Sequence, residues 1–68
     1  MHERLEAHFE NRIYYFYLTE RKPNEIHIKM YNTPYIFITG EEGWINSPVN
    51  KMVMAQGLVN AVIEALGQ

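Results

Sequence analysis

Ser47-Pro48-Val49-Asn50-Lys51-Met52-Val53-Met54-Ala55-Gln56-Gly57-Leu58-Val59-Asn60-Ala61-Val62-Ile63-Glu64-Ala65-Leu66-Gly67 is the stretch around which the chain must fold. Ser47 is a good N-cap, because its hydroxyl can accept a hydrogen bond from an unpaired N–H of a first turn. Pro48 suits the first helical position, where a missing N–H costs nothing. Gly67 stands where a left-handed C-terminal cap is expected. Between these signals the spacing predicts one helix of roughly nineteen residues, about 28 Å long.

At about 100° per residue, Met52, Met54, Ala55, Leu58, Val59, Ala61, Val62, Ile63, Ala65 and Leu66 cover roughly 200° of that helix. Asn50, Gln56, Gly57, Asn60 and Glu64 occupy the remainder, with Val49 and Val53 among them. A helix lying on one sheet needs an apolar stripe of only about 100°. The excess predicts a second cover: the N-terminal segment, a second copy of the chain, or a groove on another protein.

Upstream, His2-Glu3-Arg4-Leu5-Glu6-Ala7-His8-Phe9-Glu10 is rich in helix formers, with Leu5 and Phe9 four apart on one helical face. A short N-terminal helix is expected, ended by Asn11 in a left-handed conformation. The same residues also alternate as a strand would, Leu5, Ala7 and Phe9 against Glu6, His8 and Glu10. Ile13 to Leu18 is the clearest strand, aromatic and β-branched on both faces. After a charged turn at 20–25, Ile26 to Tyr31 alternates cleanly, and Asn32-Thr33-Pro34 turns the chain into a third strand, Tyr35 to Thr39. Gly40 to Gly43 reads as a loop and Trp44 to Asn46 as a candidate fourth strand.

One register joins these pieces. Phe16 opposite Met30 and Leu18 opposite Ile28 leave a five-residue turn, Arg21 to Glu25. Met30 opposite Ile36 and Ile28 opposite Ile38 leave a three-residue turn, Asn32 to Pro34. The even-numbered apolar residues then share the face that receives the long helix. The expected fold is α+β: a three- or four-stranded antiparallel meander packed on one face by a C-terminal helix, with a short N-terminal helix.

The same register puts Tyr15, Tyr17, His27, Lys29, Tyr31, Tyr35 and Phe37 on the opposite face, Tyr15 beside Tyr31 and Tyr35, Tyr17 beside Lys29 and Phe37. A sheet covered on one side normally shows polar residues to water on the other. Aromatics gathered there mark a candidate interaction surface, covered by the N-terminal segment, a second subunit or a ligand. Single-stranded nucleic acids also bind aromatic sheet faces, but the glycine-and-aromatic signature and the βαβ order of RNA-recognition folds are absent. The order helix, three strands, helix is closer to a double-stranded-RNA-binding domain. That family's lysine cluster is reduced here to Lys51 in Pro48-Val49-Asn50-Lys51, so the order is a topological coincidence and no family is assigned.

Composition narrows the function classes. The 68 residues make one small domain, 47% hydrophobic and 21% charged, which argues against disorder. With no cysteine there is neither a disulfide nor a thiolate metal site, so oligomerisation is the remaining staple for a chain this short. Residues 1–4 lack the apolar segment of a signal peptide and no run spans a bilayer, so a soluble cytoplasmic protein is expected. A net charge of −2 with scattered Lys and Arg argues against a phosphate-gripping protein. His2, His8 and His27 do not fall at metal spacing, and Ser47 reads as a cap rather than a nucleophile. Glu41-Glu42 reads as a solvated loop, and two carboxylates there would repel a phosphate. The expectation is a non-enzymatic binding or regulatory module without cofactor or metal, acting through protein partners and as a homodimer. A single-stranded nucleic-acid-binding module is the alternative.

Overall fold

The computed structural model describes residues 4–41 and 43–67, so His2 and Glu42 lie outside it. Strands β1 (Arg4–Phe9), β2 (Arg12–Lys22), β3 (Glu25–Met30), β4 (Thr33–Gly40) and β5 (Gly43–Asn46) form one antiparallel sheet in chain order, followed by helix α1 (Gln56–Ala65). The α+β meander with a C-terminal helix agrees with the expectation from sequence. The strand count, the N-terminal helix and the start of the long helix do not.

Residues 4–9 form a strand, not a helix. Helix propensity is worth only tenths of a kcal/mol per residue, whereas alternation lets β1 bury Ala7 completely and pack Leu5 and Phe9 on the core. Asn11 is left-handed as expected, but as part of a hairpin: Glu10 and Asn11 have φ of 51° and 63° and join β1 to β2. Positive φ at both central residues is the type I′ requirement, and that turn's twist matches the twist of the flanking strands.

Between β2 and β3, Phe16 faces Met30 and Leu18 faces Ile28, as the pattern predicts. The expected five-residue turn is shorter, because pairing continues to Lys22 opposite Glu25 through an irregularity between Leu18 and Glu20. The extra residue, Thr19, shifts the core-facing positions from even to odd. Arg21 therefore lies opposite Ile26, and its guanidinium donates to the Leu66 carbonyl at the C-terminal end of the helix, at 2.7 Å.

The largest correction lies between β3 and β4. Ile28 faces Tyr35, not Ile38, and Met30 faces Thr33, not Ile36. The cause is a second turn with positive φ at both residues, Tyr31 and Asn32 with φ of 50° and 66°, where the sequence pattern predicts a three-residue turn. A register displaced by an odd number of residues exchanges the faces of the whole strand. Phe37 is thus fully buried against the core that Ile26 and Ile28 build, with Tyr35 stacked beside it at 6.3 Å between ring centroids. Ile36 and Ile38 go to the other face. Two aromatic side chains bury more area than two isoleucines.

Trp44 to Asn46 does form a strand, as part of β5, and α1 packs on β1 and β5, the two edges of the sheet. The sheet therefore curls around the helix. Leu58, Val59, Val62 and Ile63 enter the core with Met54. Gly57 marks the closest approach of helix and β1: a Cβ there would stand 2.9 Å from Cζ of Phe9. Gly67 has the expected left-handed conformation, φ 78°, and its N–H bonds to the Glu64 carbonyl at 3.0 Å.

Residues 47–55 are not helical, so Ser47 does not cap α1 and Pro48 does not start it. One asparagine takes backbone groups a helix would need, and a second ties the segment to β4. The Asn46 amide accepts from the Met54 N–H at 2.9 Å and donates to the Met54 carbonyl at 2.8 Å. The Asn50 amide does the same to Ile36, at 2.8 and 2.9 Å, where β5 no longer pairs with β4. Such side-chain bonds compete directly with helix formation. Ser47 instead accepts from the Val49 N–H at 3.3 Å, a local turn.

Candidate functional site

The sheet face turned away from α1 is organised in rows across the strands. In one row, Arg4 lies opposite Tyr17 and Tyr17 opposite Lys29, so two cations flank a tyrosine. In the next, Glu6 lies opposite Tyr15. The Arg4 guanidinium rests 4.4 Å from the centre of the Tyr15 ring, a distance at which a cation is attracted to the ring face. Tyr31 sits in the turn rather than in a strand. Its hydroxyl accepts from the Tyr15 N–H at 3.3 Å, giving β2 a partner just beyond the end of β3. Arg4, Tyr15, Tyr17, Thr19, Lys29, Tyr31 and Asn32 together line a hollow of about 610 Å³.

Of the residues singled out from sequence, Tyr15, Tyr17, Lys29 and Tyr31 come together in this hollow. His27 is on the same face but further along β3, hydrogen-bonded to Glu25 and opposite Glu20. Lys22 pairs with Glu20 at 3.1 Å and lies opposite Glu25. The hydrogen bond from His27, with Lys22 nearby, holds the Glu25 carboxyl below its ordinary range, and the hydrogen bond and charge of Glu20 raise the Lys22 ammonium above its own. Tyr35 and Phe37 do not belong to this surface: the register described above turns both into the core.

Other exposed residues escaped the sequence pattern. Arg4 precedes the alternation of Glu6, His8 and Glu10 by two residues, so only the strand reading of that segment, extended by one step, places it on this face. The helical spacing places Met52 in the apolar stripe and Val49 and Val53 on the remaining arc, but in the 47–55 strap Val49, Met52 and Val53 are 70%, 58% and 81% exposed. Val49 and Met52 line a second hollow of about 370 Å³ with Pro34 and Ile36. This patch is mainly apolar, with Thr33, Asn50 and Lys51 on its lining, whereas the Arg4–Lys29 hollow offers hydroxyl, amide, guanidinium and ammonium donors. No protein-family model matches the chain, and no curated protein or solved structure matches it.

Proposed function

We propose that this chain is a small binding module that acts through protein contacts rather than catalysis, and that it works as a homodimer held by the 47–55 strap. The observation that carries this reading is the strap itself. Val49, Met52 and Val53 are offered to solvent beside the hollow at Pro34 and Ile36, although the strap is tied down by Asn46 and Asn50. A tied-down apolar surface presents its contacts without a large ordering cost, as binding surfaces do. Self-association would also supply the stability a cysteine-free chain of 68 residues otherwise finds hard to reach.

Light scattering at about ten micromolar, a concentration suited to moderate affinity, tests this reading. The expected mass is twice the 8.1 kDa of one chain, falling to the monomer in Met52→Ser/Val53→Ser. A wild-type mass of 8.1 kDa would contradict it. So would a dimer that the double substitution leaves intact.

A further inference from the structure

The hollow at the strap carries one cation, Lys51, and the tyrosine-lined hollow carries two. The larger one carries Arg4 and Lys29 and no carboxylate among its lining residues, on a chain whose net charge is −2. Among the described residues neither cation makes an ion pair; the pairs there are His8–Glu6, Lys22–Glu20 and His27–Glu25. The guanidinium of Arg4 lies over the Tyr15 ring, and a guanidinium held there can make a two-point bond to a carboxylate through its N–H groups. Lys29 stands two strands away in the same row, so with strands about 4.8 Å apart the two backbones are about 10 Å apart. Two acidic side chains of one extended peptide can bridge that interval. Tyr17 lies between the cations and Tyr31 borders the hollow, offering ring faces and hydroxyls to the peptide itself.

We propose that this hollow binds an acidic segment of a partner protein, a refinement that rests on the reading of the chain as a protein-binding module. The ligand is a peptide rather than a single-stranded nucleic acid for two reasons. Two cations on a net-acidic chain neutralise few phosphates. With Tyr35 and Phe37 in the core, the aromatic track that successive bases would need is interrupted.

The test is an NMR titration of the full chain in about 0.15 M salt, with acetylated hexaglutamate, hexaglutamine and a thymidine hexanucleotide as probes. Hexaglutamate should shift the amides of Arg4, Tyr15, Tyr17 and Lys29 saturably, and hexaglutamine should not. Arg4→Gln/Lys29→Gln should weaken hexaglutamate binding by about tenfold or more while leaving the dispersed spectrum of the folded chain unchanged. The proposal is overturned by the absence of saturable shifts, by equal shifts around Arg12 and Lys51, or by tighter binding of the hexanucleotide. Light scattering on the wild type in the same buffer keeps the two claims apart. A dimer that persists while hexaglutamate fails to bind the wild type would sink only the acidic-peptide site, whereas a monomeric wild type that still binds it would sink only the dimer.

Discussion

At Glu25 the structure makes a prediction about acid stability. Its carboxyl is held below the ordinary value of 4.5, chiefly by the hydrogen bond from His27. A carboxyl lowered in the folded state adds stability that is fully present above the unfolded value and lost as pH falls through the folded one. Wild type should therefore exceed Glu25→Gln in melting temperature at pH 7, and the gap should close below about pH 4. An unchanged gap at pH 3 would contradict a Glu25 carboxyl that folding holds low. Ile28 and Lys29 give a sharper contrast, because they are adjacent and point to opposite faces. Ile28 is 1% exposed, so Ile28→Ala should cost about 2–5 kcal/mol. Lys29→Ala, on the open face, should stay within about 0.5 kcal/mol. Denaturant melts of the two variants check this, and a larger loss in Lys29→Ala would reverse the faces.

Among the elements, the strap depends most on specific side chains. Asn46→Ala leaves the N–H and carbonyl of Met54 without their partners, and Met54 is buried. The expected loss is roughly 1–3 kcal/mol, together with hydrogen-exchange protection at the Met54 amide. Asn60→Ala, on the exposed side of α1, is the control and should lie within about 0.5 kcal/mol. If the Met54 amide keeps its protection in Asn46→Ala, the strap is held by something other than that amide. The central strands were legible in the chain because Ile13 to Leu18, Ile26 to Tyr31 and Tyr35 to Thr39 are β-branched and aromatic. The C-terminal half of the helix was legible from its apolar spacing and Gly67. The strap was not, because Ser47-Pro48 is a local helix-start signal while Asn50 finds its partner in Ile36, fourteen residues earlier. The two hairpin turns with positive φ at both residues were hidden because they use Glu-Asn and Tyr-Asn, with asparagine in place of the glycine that usually announces such turns. Of the open face, Tyr15, Tyr17, His27 and Lys29 could be read from alternation, whereas Tyr35 and Phe37 could not, since that depended on the second hairpin.

For the molecule as a whole, one hairpin decides which residues are available for binding. The turn at Tyr31 and Asn32 sends Tyr35 and Phe37 to the core side of the sheet, and it leaves Ile36 beside Pro34 and the strap. Both proposed surfaces, the apolar strap and the cationic tyrosine hollow, follow from that division of faces. The strand pairing of β3 with β4 is therefore the most direct thing to measure, and backbone NOEs in the uniformly labelled protein report it without any substitution. The predicted result places Ile28 across from Tyr35 and Met30 across from Thr33, with ring contacts from Phe37 to the core side chains. NOEs that instead set Ile28 across from Ile38 and Met30 across from Ile36 would return Tyr35 and Phe37 to the open face and contradict both surfaces.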